Sequence, residues 1–332
     1  MSSTSSLSPP EVDVIGLGEN SVDRVLTVPQ LPGATNAPSK MMVGSAVRSC
    51  GGQVATAMAA CAALGLRASC AGATGDDDEG RLVRETLRAR GVLLDYLAVI
   101  PEAATRWATI LLDPTGERVV LWGRDDALSL GADEVAAIDV RRARLIHVDD
   151  TDLRASIQLA TAARAAGKLV TTDVDGAVTG ARVRGAQVLV PGAQVLGAQV
   201  RGAIELLKMA THPIVSEDAL IGLTGEDDPE RGLLALRGEC AGVLCVTLGA
   251  RGAMALDGDI LLSAPGIQVT PVDTTGAGDV FRAGFIYGLL AGWPTADTLR
   301  FANTAAAVSC TRLGAIASTD GLAELRNDGV TE

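Results

Sequence analysis

Aromatic side chains supply only 2% of this 332-residue chain, and histidine occurs just twice, at His147 and His212. So few histidines argue against a histidine-based zinc site and against a Ser-His triad. No run of Lys or Arg stands out against a net charge of −12, so a nucleic-acid partner is not expected. No uncharged apolar run reaches the ~18 residues of a membrane span. Cys50, Cys61, Cys70, Cys240, Cys245 and Cys310 form no Cys-x-x-Cys pair and mostly lie in apolar stretches, as free thiols of a reducing cytosol do. Residues 1–10 are polar, with neither an apolar core nor a basic residue. They read as a frayed tail and not as a signal peptide, and a cytoplasmic protein is expected.

What is present is small and aliphatic. Hydrophobic residues make up 48% of the chain, so the core is Ala, Val and Leu, which suits helices packed closely on a parallel sheet. Val12–Leu17 reads as a buried strand, Ser49–Leu64 as an Ala-rich helix, Ala68–Gly72 as the next strand and Glu79–Arg90 as an amphipathic helix. The alternation resumes with strand Leu145–Val148, helix Asp152–Ala166 and strands Leu169–Asp173 and Val243–Thr247. Alternation of this length implies right-handed crossovers and a parallel sheet covered on both faces. Two segments break the rhythm, about 22–48 and 93–124. They hold strand-like pieces at Arg24–Val28, Ala108–Leu112 and Arg118–Trp122, with a turn at residues 113–116, and they could pair into one small sheet. Gly-Ala-Gln-Val recurs at 185, 192 (as Gly192-Ala-Gln-Val) and 197, and Val-Arg-Gly-Ala at 183 recurs 17 residues later at 200. Residues 184–203 therefore read as a 17-residue duplication, a surface hairpin turning at Pro191-Gly192.

The most informative stretch is Asp273-Thr-Thr-Gly-Ala-Gly-Asp279, leading into an Ala/Gly-rich helix. Gly276, Ala277 and Gly278 set backbone N–H groups at a helix mouth, where the dipole favours an anion. A carboxylate there would repel a resident phosphate. It makes sense if the phosphoryl group is in transit and Asp279 takes a proton from the attacking hydroxyl. An ordinary helix N-terminus with an acid on its dipole is the plainer alternative. No Gly-x-x-x-x-Gly-Lys-Ser/Thr occurs, so this is not a Walker-type loop.

This stretch resembles the C-terminal signature of the ribokinase, or PfkB, carbohydrate kinases. Gly51-Gly52-Gln-Val-Ala-Thr-Ala-Met-Ala59 with Gly72–Asp77 resembles the N-terminal signature, Thr247–Gly252 the nucleotide loop, and Arg300–Ala307 with Thr311–Gly314 the last helix and closing loop. The matches run in family order from about 11 to 320. The resemblance implies a ribokinase-like α/β fold over 11–325, a three-layer α/β/α sandwich with a mainly parallel sheet. Segments 22–48 and 93–124 would form a β-sheet lid over the sugar. It also implies a kinase that uses ATP and Mg2+ on a primary hydroxyl of a small carbohydrate, a ketose or pentose foremost. A nucleoside, a sugar phosphate or a sulfonated sugar is the alternative acceptor.

In that reading Asp279 is the general base and Gly276, Ala277 and Gly278 form the anion hole. Asp23, Gly51, Gly52, Gln53, Thr56, Asp149 and Arg124 contact the acceptor. Thr56 stands where the family often has Asn, which weakens a ribose-specific reading. Thr247, Gly249, Thr275 and Asn303 serve ATP. Ser216-Glu-Asp-Ala219 replaces the usual Asn-x-x-Glu, leaving Mg2+ to Glu217 or Asp218 through water, or to ATP alone. Asp273, Thr275, Ser309, Arg312, Gly314 and Ser318 resemble loops that hold a monovalent cation such as K+. A homodimer through the lid would cover its free edge. A dinucleotide-binding oxidoreductase fails, because Gly16-Leu-Gly18 lacks its third glycine, Ser21 standing there, and is followed by strand. A sugar-sensing protein without catalysis would have lost Asp279, which is present.

Overall fold

The computed structural model describes residues 11–32, 40–115, 118–175 and 193–326. Strands β1 (Val12–Leu17), β2 (Ser21–Thr27) and β3 (Ser45–Gly51) precede helix α1 (Gln53–Ala63). Then follow β4 (Ala68–Gly75), α2 (Asp78–Ala89), β5 (Leu93–Ile100), β6 (Trp107–Leu112), β7 (Arg118–Gly123), α3 (Ala132–Ala136) and β8 (Ala143–Asp149). Next come α4 (Leu153–Ala165), β9 (Leu169–Asp173), α5 (Ala193–Met209), β10 (Ile214–Ser216), α6 (Glu217–Thr224) and α7 (Pro229–Arg237). The chain closes with β11 (Leu244–Thr247), β12 (Gly252–Asp257), β13 (Ile260–Pro265), α8 (Ala277–Leu290) and α9 (Thr295–Cys310).

The central sheet has the order β5-β4-β1-β8-β9, parallel throughout. Parallel bridges Thr171↔His212 and Val174↔Val215 carry it on to a second group, β10-β11-β12-β13. Alternation along the strands divides the core in two. Val14 and Leu145 face a layer built on α1, α2, α8 and α9, whereas Ile15, Ile146 and Val148 face one built on α4, α5, α6 and α7. Helices therefore cover both faces of the sheet, as the expected α/β sandwich requires. Small residues let the layers close: Gly284 of α8 lies so near α9 that a Cβ would come within 2.9 Å of Ala302 Cα.

A separate sheet of order β3-β2-β6-β7 stands apart, with β2 and β6 parallel and the outer pairs antiparallel. It joins residues from both segments that break the sequence rhythm. Three expectations need correction. Leu93–Ile100 belongs to the central sheet and not to the small one, because the β4-α2-β5 crossover lays it parallel beside β4. Ser49–Gly51 ends strand β3, so α1 starts only at Gln53. Residues 193–209 are helical, so the described part of the duplicated stretch is not a β-hairpin; residues 176–192 lie outside the described residues. Among the described residues no helix is long and apolar enough to cross a membrane, and all six cysteines are free thiols.

The Gly284 contact decides a sign. Alanine favours a helix over glycine by about 1 kcal/mol. Because its methyl would press on backbone, Gly284→Ala should instead lower stability by about 1–2 kcal/mol. A drop in urea midpoint at unchanged m-value is the expected reading; an unchanged or higher midpoint would show that the helices are not in contact there.

Candidate active site

The turn Thr274–Gly276 enters α8 with Gly276 at φ 79°, a left-handed conformation that glycine adopts without strain. There is no room for a side chain either, since a Cβ would lie 2.9 Å from Ala315 Cβ and 3.2 Å from Thr56 Cγ2. Asp273 braces the turn from behind: Oδ1 accepts from Thr275 N (2.9 Å) and Oδ2 from Gly314 N (2.9 Å). The Ala277 N–H donates to Thr274 O at 3.2 Å. Among the described residues the N–H groups of Gly276, Gly278 and Asp279 find no such partner, so these three, and not Ala277, are left for an anion.

Asp279 sits in the first turn of α8 and is partly exposed. Burial lifts its carboxyl well above the usual range, and the neighbouring Asp173 carboxylate adds to that while Arg282 works against it. Asp173, at the end of β9, is fully enclosed, and its charge opposes ionisation of Asp279. Its Oδ1 also meets Arg282 Nη2 at 2.6 Å, in an ion pair buried on both sides. Arg282 lies one turn beyond Asp279, and a Cβ on Gly278 would reach within 2.9 Å of its Nη1. The Asp173 carboxyl is raised to about 6, mainly by burial, with Arg282 opposing. Neither Asp173 nor Arg282 was among the residues expected at the site. One signal existed: Arg282 is the lone charge in the otherwise apolar run Val280–Leu290.

At the acceptor end, Asp23 is part of β2, opposite Ser49 of β3. Its carboxylate lies against Gly51 so closely that a Cβ there would fall 2.1 Å from Oδ2. Burial, then the charges of Glu19 and Asp273, push its carboxyl up to about 6. Gly52 and Gln53 follow at the start of α1. Thr56 is wholly enclosed beneath Gly276, with no partner for its hydroxyl, so it supports the turn and does not face an open acceptor site. Asp149 is likewise enclosed. Its oxygens accept from Glu19 N (2.6 Å) and Thr151 N (3.0 Å), tying the turn after β1 to β8. Burial pushes it up to about 7.

A small cavity of about 40 Å³ opens beside this turn, lined by Glu19, Asn20, Arg106 and Arg124 among others. Arg106 pairs with Glu19 at 2.9 Å and lies 5.4 Å from the Trp122 ring centre. Arg124 donates to Thr151 O (2.8 Å) and Ser129 Oγ (2.6 Å) and lies 3.6 Å from Asp152. Glu19 and Arg106 also went unanticipated, since neither stands in a recognisable motif.

At the nucleotide end, Thr247 closes β11, and Gly249 (φ 58°) faces open space. Glu217, at the N-terminus of α6, pairs with Arg251 of this loop. Asn303 uses its amide to hold the end of β13, donating to Ala264 O (2.9 Å) and Pro265 O (3.1 Å). Of the set expected to hold a monovalent cation, Thr275 and Gly314 meet at Asp273. Both Asp273 oxygens receive N–H groups, and the Ser309 and Ser318 hydroxyls donate to Ala306 O and Ala315 O, which leaves their oxygen lone pairs free.

The chain matches the family model described as pfkB family carbohydrate kinase over residues 11–321. It is 30% identical over 304 residues to the ATP-dependent ribose-1-phosphate kinase of Halopiger xanaduensis, covering 92% of this chain and 94% of that one. It is 29% identical to fructokinase-2 of Zea mays, covering 91% and 90%. The ribokinase of Arabidopsis thaliana complexed with ribose and ATP superposes with a TM-score of 0.74 at 25% identity, covering 96% and 99%.

On the strand next to Asp173, His147 is fully buried, with Nδ1 3.0 Å from Thr171 Oγ1 and Nε2 without a partner. Burial, with Arg282 nearby, lowers its pKa to about 3, so the native ring stays neutral. Below the ordinary value of 6.5 the unfolded chain binds a proton that the native one refuses, and stability falls with pH by up to about 1.4 kcal/mol per unit. In His147→Gln the urea-derived stability should fall less steeply from pH 6.5 to 4. An unchanged slope would mean that the native imidazole is charged.

Proposed function

Because the chain belongs to the PfkB family of carbohydrate kinases, and so is a phosphotransferase acting on sugars, we propose that it phosphorylates a primary hydroxyl of a small neutral carbohydrate from ATP. A ketose or pentose is the favoured acceptor. The observation that carries the reading is the juxtaposition of a partly exposed Asp279 with unengaged N–H groups at the mouth of α8. Asp279 takes the hydroxyl proton, the freed oxygen attacks the γ-phosphorus, and the bond to ADP breaks with its electrons. The Gly276, Gly278 and Asp279 N–H groups face the charge that gathers on the moving phosphoryl group. Mg2+ arriving with ATP supplies charge neutralisation. At the nucleotide end Glu217 offers a carboxylate that could hold it through water. No step is assigned to K+.

Neutrality of the acceptor follows from charge. Asp23, Asp149 and Glu19 crowd the acceptor end, and Arg106 and Arg124 are already engaged by Glu19 and near Asp152. An anionic sugar would meet no uncompensated cation among the described residues. The small sheet serves as a lid, since Asp279 would activate water as readily as sugar in an open site.

Asp279→Asn should lower kcat at least ~10²-fold with little change in ATP affinity, and near-normal turnover would remove Asp279 from the mechanism. A panel of fructose, ribose, ribose-1-phosphate, sulfonated sugars and nucleosides, assayed for ADP release, tests the acceptor. A neutral sugar should raise the slow basal ATP hydrolysis by orders of magnitude. Highest kcat/KM with a phosphorylated or sulfonated sugar would overturn the neutral-acceptor reading, and with a nucleoside the carbohydrate one. The outer residues Val120, Leu121 and Trp122 of the small sheet are exposed, and we assign pairing with a second copy to that surface. Light scattering should show a dimer at micromolar concentration, and Trp122→Glu should disperse it. Monomer alone in the wild type would remove the pairing.

A further inference from the structure

We propose that Asp173 and Arg282 are positioning residues that together set the proton affinity of the general base, with opposite signs. The inference rests on Asp279 being that base. Arg282 projects from α8 one turn beyond Asp279, and its Nη2 reaches Asp173 Oδ1 at 2.6 Å while both side chains are almost wholly buried. Its Nη1 lies beside Gly278. Asp173 Oδ2 and Arg282 Nε are buried without a hydrogen-bond partner. Asp173 also faces Asp279, and neighbouring carboxylates hinder each other's ionisation. The three groups therefore form one unit of two carboxyls and one guanidinium. Asp279 must be ionised before it can accept a proton from a hydroxyl.

The surroundings explain why a cation is buried here. Asp279 is faced by Asp173 from β9, by Asp175 just beyond that strand, by Glu19 from the turn after β1 and by Arg282 from its own helix. Three of these four oppose ionisation of the base. Asp150, also enclosed, adds to the crowding around Asp173, Asp175 and Asp149. Arg282 is the cation that favours the ionised base. His147 adds no charge, being held neutral. A bulky apolar residue would pack α8 as well as Arg282 does, yet would leave Asp173 and Asp279 to compete for a proton at neutral pH.

Two substitutions separate this role from a merely structural one. Asp173→Asn removes a negative neighbour, so Asp279 ionises more readily and the acid limb of the kcat profile should move down by about one pH unit. Arg282→Met removes the positive neighbour and should move the same limb up by about one unit or more. KM for sugar and for ATP should stay within about threefold in both, and Arg282→Lys should return the limb most of the way. Thermal melts at pH 7 establish that each variant is folded. Should Arg282→Met fail to fold, Arg282→Lys and Asp173→Asn still decide the matter, through the size of the first shift and the sign of the second. Limbs that stay in place, or that move in the same direction in both variants, would overturn the proposal. The two readings fail separately. If Asp279 is not the base, Asp279→Asn stays active; if only this inference is wrong, Asp279→Asn is inactive while the limbs do not part.

Discussion

Parallel strands deliver their C-terminal ends to one edge of a sheet, and here that edge is crowded with carboxylates. β1 runs into Glu19, β8 ends at Asp149 with Asp150 next, and β9 ends at Asp173 with Asp175 close behind. Such a cluster is costly to bury, because each charge loses water and repels its neighbours. The structure offsets the cost with few resources. Asp149 is met by two backbone N–H groups, Glu19 by Arg106, and Asp173 by Arg282. The remaining tension appears as raised proton affinity at Asp23, Asp149, Asp173 and Asp279. A carboxylate poised to accept a proton is what a hydroxyl-activating base requires.

The glycine turn works only because its backing is rigid. Asp273 bonds it to the loop after α9, and Thr56 and Ala315 fill the space beneath Gly276. The unengaged N–H groups therefore stay where the turn puts them, without reorganising as charge moves. Gly51 plays the matching part at the other end, since its missing Cβ is where the Asp23 carboxylate lies. The proposed base and the proposed acceptor contact thus belong to different sheets, Asp279 against the central one and Asp23 within the small one. The small sheet is tied back to α2 by Glu79, which pairs with Arg24 of β2 and lies near Arg48 of β3. Asp77, the N-cap of α2, also receives Thr105 N and Oγ1 just before β6. Movement of the sheet would carry Asp23 with it.

The chain by itself determined the fold class, the family, and the identity of the turn and its acid. Each of these depends on short-range pattern: alternation of apolar runs, a glycine pair at a helix mouth, a carboxylate one step inside. Partnerships across the sheet were decided only in three dimensions. Leu93–Ile100 is an unremarkable apolar run until the crossover from β4 lays it on the central sheet. Thr56 and Asp149 stand in the right neighbourhoods in sequence but are sealed beneath the turns they support. Asp173 and Arg282 lie 109 residues apart in the chain and meet at 2.6 Å because β9 and α8 pack face to face. Sequence spacing reports what one helix or strand presents, whereas the proton affinity of Asp279 depends on charges from three separate segments, and only packing brings those together.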